Sequence, residues 1–277
     1  MHKSLYNIFK KQKYSSIKHR NYFPIYENLF NKFINKRITF VEVGTLNGGS
    51  LFMWRNYFGK KARIIGIDFN PSAKKWENYG FEIFIGDQNS SIFWEKTLKK
   101  IKKLDVLLDD GAHTNRAQIM TTVSCLPYIS DGGLLLVEDV HTSYQKEFGN
   151  PSKYSFINYS KFLIDDINSR FENFLSKQYS FNKFVHSIQF FESMVCFNVN
   201  RKLCKRNSVV ENSGIKLGNL DYRYNHKNDN IFLIRDYLNR NFYFLKKLKI
   251  LKKILSKINI LFYYFYNKRN NVKIYFK

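Results

Sequence analysis

The sequence predicts an α/β fold, a doubly wound sheet of five parallel strands plus a closing antiparallel hairpin, with helical basic extensions at both ends. Three observations carry this. Between residues 38 and 200, β-rich apolar runs alternate with helical patterns, as βαβ units require. Each of the first five runs carries glycine or an acidic residue at its end or one position before it. Charge also separates the ends from the middle: residues 1–37 hold nine Lys and Arg against one acidic residue and 201–277 hold 19 against 4, while 38–200 hold 18 against 17.

The elements follow in order. In PIYENLFNKFINK (24–36), Tyr26, Leu29, Phe30 and Phe33 recur at helical spacing, so a helix should pack on the sheet before its first strand. The strands are ITFVEVG (38–44), RIIGIDF (63–69), FEIFIGD (81–87), DVLLDDG (105–111) and GLLLVED (133–139). HSIQFF (186–191) and MVCFNV (194–199) are separated only by Glu192 and Ser193, which reads as a hairpin closing the sheet. From Ile231 onward lysines interleave with apolar residues in the rhythm of one or two basic amphipathic helices. The expected division is an N-terminal basic helical segment (1–37), a catalytic domain (38–200) and a basic aromatic extension (201–277).

A chain of 277 residues suffices for one α/β core with extensions. Cys125, Cys196 and Cys204 form no C-x-x-C pair, which argues against a disulfide framework or a zinc site. MHKSLYNIFKKQ places a Lys pair where a secretory signal needs an apolar stretch, and Ile258 to Asn267 is about half the ~20 residues that span a bilayer. The expectation is a cytoplasmic protein, with the basic C-terminal tail touching the inner face of the membrane or a second copy of the chain.

A cofactor site is written into the strand ends. Gly44 and Gly48 allow a sharp turn and close approach to a ligand, and the helix that follows offers its N-terminal amides. Asp68, 24 residues after Gly44, stands where a nucleoside-binding fold places an acceptor for ribose hydroxyls. Asp87 and Gln88 after the third strand suit an adenine edge. The turn is G-x-x-x-G-G-S rather than G-x-G-x-x-G, which disfavours a dinucleotide.

Taken together, VEVGTLNGGS, IIGIDFNP, FIGDQNS, DVLLDDGAH and GGLLLVEDVHTSY resemble the class I S-adenosylmethionine-dependent methyltransferases. More narrowly they are similar to the metal-dependent sugar O-methyltransferases of the mycinamicin and macrocin type and their cephalosporin hydroxylase-like relatives. The resemblance covers roughly residues 38–200 and implies a Rossmann-like methyltransferase sheet. It also implies S-adenosylmethionine held by Glu42, Gly44, Thr45, Asn47, Gly48, Ser50, Asp68, Asp87, Gln88 and Asp109.

In such a fold the ends of the fourth and fifth strands open into one crevice, so Asp110, Glu138 and Asp139 can converge. Three close carboxylates repel one another unless a cation neutralises them, and hard oxygen ligands suit Mg²⁺, with Mn²⁺ as an alternative. His113, three residues after Asp110, is the candidate general base, because an imidazole accepts a proton near neutral pH. The family motif is D-D-G-S-H, so Ala112 here removes a hydroxyl that could orient a neighbour. His141 is the runner-up base or a substrate contact, and Tyr144 is expected to line the acceptor pocket. His186 is read as structural, and Glu192 and Ser193 receive no role.

The expected activity is O-methylation of a sugar hydroxyl, in surface polysaccharide or glycosylated metabolite biosynthesis. Two other readings stay open: a non-catalytic S-adenosylmethionine-binding scaffold, and an RNA methyltransferase. Only net charge supports the second, since the fourth strand lacks an N-P-P-Y-like motif and the middle of the chain is nearly neutral.

Overall fold

Seven strands pair in one sheet of order β3-β2-β1-β4-β5-β7-β6. They span Thr39–Val43 (β1), Arg63–Asp68 (β2), Glu82–Ile85 (β3), Leu104–Asp109 (β4), Ile129–Val137 (β5), Val185–Phe191 (β6) and Met194–Val199 (β7). The first five are parallel, and β7 runs antiparallel to both β5 and β6. This is the predicted sheet with its closing hairpin. The fifth strand begins earlier than its apolar run because Ile129 pairs with Leu104 ahead of a register shift, and Ser130–Gly132 bridge that irregularity. The computed structural model describes residues 4–171, 181–206 and 208–215, with isolated positions between 233 and 264.

Among the described residues between 4 and 215 the sheet is accompanied by the α-helices Leu5–Lys10 (α1), Tyr22–Phe30 (α2), Gly49–Phe58 (α3), Ser91–Ile101 (α4), Asn115–Cys125 (α5) and Phe156–Asn168 (α6). Between β2 and β3 the chain forms a 3₁₀ segment over Pro71–Tyr79. Alternation along the strands sorts the core into two layers. Phe40, Ile64, Val106, Leu108, Leu134 and Leu136 face α1, α2 and α3, which bring Tyr26, Phe30, Trp54 and Phe58. Val41, Ile65, Leu107, Leu135 and Phe197 face Trp94, Leu98, Cys125, Phe156 and Leu163 of α4, α5 and α6. Each strand of the centre is thus buried on both faces, as a parallel sheet demands.

The expected helix before β1 is present, with Tyr26, Leu29 and Phe30 buried on α2 and Phe33 in the 3₁₀ turn that follows. Residues 1–209 form one compact unit and 210–277 a second. In the second, Leu233, Tyr237, Ile254, Leu261 and Tyr264 are helical and exposed. Phe262, Tyr263, Phe265 and most of the expected basic amphipathic face lie outside the described residues. Among the described residues no helix is long and apolar enough to cross a membrane.

Strand order turns back on itself between β1 and β4, because β2 and β3 lie on one side of β1 while β4 and β5 lie on the other. At such a switch point the loops leaving neighbouring strands diverge and leave a crevice beyond the carboxyl ends. The candidate site lies there.

Candidate functional site

A cavity of about 850 Å³ opens over the carboxyl edge of the sheet, lined by the loops after β1 to β5 and by Ile17 of the N-terminal segment. Of the residues expected to bind the cofactor, Gly44, Asn47, Asp68, Asp87 and Gln88 line it. So do Asp110, His113 and Asp139. Glu42, Thr45, Gly48, Ser50, Asp109, Glu138, His141 and Tyr144 stand behind or beside this lining.

The β1 turn is set by steric necessity. Gly44 adopts φ +86°, and a Cβ there would lie 2.1 Å from the Asp110 carbonyl oxygen. Gly48, at φ +75°, lies flat against the Trp76 ring. These glycines bring the loops after β1 and β4 into backbone contact and let α3 start directly under the cavity. Thr45 reaches the site through Asp68: Asp68 Oδ2 accepts hydrogen bonds from Thr45 N (2.9 Å), Thr45 Oγ1 (2.6 Å) and Leu46 N (3.2 Å). Asn70 N donates to Oδ1 at 2.9 Å. Burial opposes the charge of this carboxylate, but these donors outweigh it and hold the group below the usual carboxylate range.

Glu42 and Ser50 are core residues of the loop. The Glu42 carboxylate, fully buried, accepts from Ser50 Oγ (2.7 Å) and Trp54 Nε1 (3.0 Å). Burial pushes it up to about 7, against the pull of the Lys18 ammonium. Gln88 is committed in the same way: its amide nitrogen donates to Asp109 at 2.8 and 2.9 Å, and its oxygen accepts from Ala112 N at 3.0 Å. Asp109 is likewise pushed up to about 7 by burial. Gln88 and Asp109 therefore brace the loop after β4, and Asp87 is left as the exposed polar side chain at the β3 end.

The other end of the cavity is acidic. Asp110, His113 and Asp139 each offer one ligand atom within 4.8 Å of the others, a set able to hold a divalent cation. His113 Nε2 is 3.4 Å from Asp139 Oδ2 and 3.9 Å from Asp110 Oδ1, and its Nδ1 is buried without a partner. Both His113 (φ 53°) and Asp139 (φ 54°) are left-handed, a conformation that costs about 1–3 kcal/mol each in residues other than glycine. The fold holds them there with hydrogen bonds: Thr142 Oγ1 donates to the carbonyls of His113 (2.8 Å) and Asp139 (2.9 Å).

Glu138 does not share that open position. Its side chain, 1% exposed, accepts hydrogen bonds from the Tyr26 hydroxyl and from Lys18 Nζ, and burial raises its carboxyl well above the usual range. His141 Nδ1 pairs with Ser193 Oγ at 2.5 Å, and Tyr22 donates to Asp139 Oδ1 at 2.5 Å while lying 2.8 Å from Ser193 Oγ. A second group, His19, Asp139 and His141, also comes within 4.8 Å, but its Asp139 and His141 atoms are already engaged by Tyr22 and Ser193. Tyr144 is exposed beside the site, and His186 is exposed on β6.

Lys18, Tyr22, Tyr26 and Ser193 are site residues that sequence reasoning missed. Nothing in their local pattern marks them. Tyr26 reads as one position of an apolar helical face, and Ser193 as a turn residue. Only the placement of the N-terminal segment across the strand ends reveals their roles.

With this geometry in view, residues 41–140 match the family described as "Methyltransferase domain". The chain is 30% identical to mycinamicin VI 2''-O-methyltransferase of Micromonospora griseorubida over 134 residues, 46% of this chain and 33% of that protein. It is 28% identical to demethylmacrocin O-methyltransferase of Streptomyces fradiae over 136 residues, 47% of this chain and 34% of that protein. These matches span about a third of the length of the curated relatives. Among solved structures, a methyltransferase of the mycinamycin biosynthetic pathway in complex with Mg and SAH superposes with a TM-score of 0.66 at 21% identity, covering 73% of this chain and 54% of that one. The sheet is therefore the Rossmann-like methyltransferase fold, and the chain resembles the class I S-adenosylmethionine-dependent O-methyltransferases of the mycinamicin and macrocin type.

Proposed function

We propose that the protein is an S-adenosylmethionine-dependent O-methyltransferase acting on a sugar hydroxyl, in polysaccharide or glycosylated metabolite biosynthesis. One observation carries the reading: a single cavity has a nucleoside-type carboxylate, Asp68, among its lining residues together with the group Asp110, His113 and Asp139. The relatives' names supply the chemical class, and the cavity supplies room for both a nucleoside and an acceptor.

In this reading Asp68 accepts from the ribose hydroxyls, and the Gly44 to Gly48 turn brings backbone close to the methionine portion. Asp110 and Asp139, with Glu138 behind them, would hold a divalent cation through carboxylate oxygens, which fits Mg²⁺ or Mn²⁺, and would leave the His113 imidazole uncoordinated. Such an ion supplies Lewis acidity that makes a hydroxyl proton easier to remove. His113 receives that proton at Nε2, the nitrogen facing the carboxylates. S-adenosylmethionine would supply the methyl group, its carbon–sulfur bond breaking as the acceptor oxygen–carbon bond forms, with S-adenosylhomocysteine as the leaving group. His141, held by Ser193, and Tyr144 flank the side from which an acceptor would enter.

Calorimetric titration with S-adenosylhomocysteine and with Mg²⁺, repeated on Asp110→Ala, tests the binding half. Cofactor affinity should persist while metal affinity is lost. His113→Ala should bind both and lose about 10²- to 10⁴-fold in methyl transfer to a sugar acceptor. Cofactor binding without metal binding in the parent protein would overturn the metal-assisted mechanism, and binding of neither would overturn the assignment.

A further inference from the structure

The carboxylates at the catalytic end already hold a cation that belongs to the chain. Lys18, on the segment between α1 and α2, extends its side chain under the strand ends until it is 1% exposed. Its Nζ lies 2.6 Å from Asp110 Oδ2, 3.1 and 3.3 Å from the two Glu138 oxygens and 3.7 Å from Glu42 Oε1. These three carboxylates come from three adjacent strands, β1, β4 and β5. An ammonium taken fully out of water is stable only where anions repay its lost hydration. Here three do so, and two of them, Asp110 and Glu138, are among those that would bind a divalent ion.

We infer that Lys18 is a tethered cation that competes with divalent metal for Asp110 and Glu138. The inference rests on the metal-assisted reading above. With Lys18 inserted, Asp110 Oδ2 and both Glu138 oxygens are occupied, and only Asp110 Oδ1 and Asp139 Oδ2 face His113. A metal engaging Asp110 and Glu138 together must move the ammonium out, since the two cations would otherwise share the same oxygens at repulsive distance. Lys18 thereby couples metal loading to the segment that rims the cofactor cavity. That segment places Ile17 in the cavity wall, accepts a hydrogen bond from Asn47 Nδ2 at Ser15 Oγ (3.0 Å), and seats Tyr14 against Trp76 and Phe52. Lys18 is a positioning residue in this sense. It keeps the acidic cluster closed and neutralised until a stronger cation arrives.

Two measurements test this on the full chain. Mn²⁺ affinity is compared between the parent and Lys18→Met by calorimetry, with circular dichroism to establish that the variant folds. Removing one positive charge from contact with the ligands should tighten Mn²⁺ binding about ten-fold or more. Equal or weaker binding by a folded variant would overturn the competition while leaving a metal-binding parent, and hence the metal reading, intact. Binding by neither form would sink both ideas, and binding gained only in Lys18→Met would leave the parent without metal and so overturn the metal-assisted reading on which the inference rests. The second measurement needs no variant: amine-reactive labelling of the parent, read at Lys18 by mass spectrometry. Lys18 should be protected without metal and labelled when saturating Mg²⁺ is added. Unchanged protection with Mg²⁺ demonstrably bound would overturn the inference.

Discussion

The two ends of the cavity are stabilised by different means. At the end proposed for the nucleoside, Asp68 is charged because main-chain amides of Thr45, Leu46 and Asn70 and the Thr45 hydroxyl point at it. At the catalytic end, Asp110, Glu138 and Asp139 are satisfied by side chains of the N-terminal segment and α2: Lys18, Tyr22 and Tyr26. Backbone donors are fixed once the strand and turn form. Side-chain donors can leave. The comparison teaches that the nucleoside end is built as soon as the sheet is, while the catalytic end is complete only when the chain's first forty residues lie across it.

Substitutions can break the comparison at either end. The largest effect is expected from Gly44→Ala. A methyl group there meets the Asp110 carbonyl at 2.1 Å with φ at +86°, so the loss should be about 3 kcal/mol or more in chemical denaturation, with S-adenosylhomocysteine affinity falling too. Gly80→Ala is the control: its φ is +79° but nothing lies within 4 Å, so about 1 kcal/mol of backbone strain is all that should appear. Equal losses in the two would show that the close approach of the loops after β1 and β4 is not what matters.

Tyr26→Phe removes a buried donor from Glu138 at the catalytic end. It should cost about 1–3 kcal/mol while leaving S-adenosylhomocysteine binding nearly unchanged. A matching loss of cofactor affinity would show that the two ends are not independent.

The smallest effect sharpens the nucleoside end. Because the hydrogen bonds to Asp68 hold its carboxyl below the usual range, the folded protein releases this proton more readily than the unfolded chain. Its contribution to stability is full above the ordinary carboxylate range and is lost as pH falls through the depressed folded value. The melting temperature of the parent should therefore exceed that of Asp68→Asn by a constant margin above pH ~5, and the margin should shrink below pH ~4. A margin that grows on acidification would contradict the backbone-donor account.

The same contrast explains what could be read in advance. The sheet, its hairpin and the nucleoside end are local: Gly44, Asp68 and Asp87 follow strand ends directly, and the Thr45 to Asp68 bonds bridge 23 residues along a motif with recognisable spacing. Asp110, His113 and Asp139 were legible for the same reason, as loop residues after adjacent strands. The partners of the acidic cluster were not. Lys18 meets Asp110 across 92 residues and Glu138 across 120, and Tyr22 meets Ser193 across 171, with no periodicity to announce them. Counted as charge, Lys18 is one of nine basic residues in the N-terminal basic helical segment, with nothing to set it apart from the other eight. Glu42, Ser50, Gln88 and Asp109 show the converse. They belong to the expected motifs, yet their side chains serve one another or the core.

Gln88 carries a consequence for variation at neighbouring positions. It grips the loop after β4 through the main-chain nitrogen of residue 112, so the Ala112 side chain is exposed and contributes nothing to that grip. One residue earlier the situation reverses: a Cβ on Gly111 would lie 2.3 Å from the same Gln88 oxygen. A small side chain at 112 leaves the Gln88 bond intact, whereas one at 111 would displace the Gln88 oxygen that makes it. A serine at 112, as in D-D-G-S-H, would leave the main-chain bond to Gln88 in place and add its hydroxyl to the cavity lining.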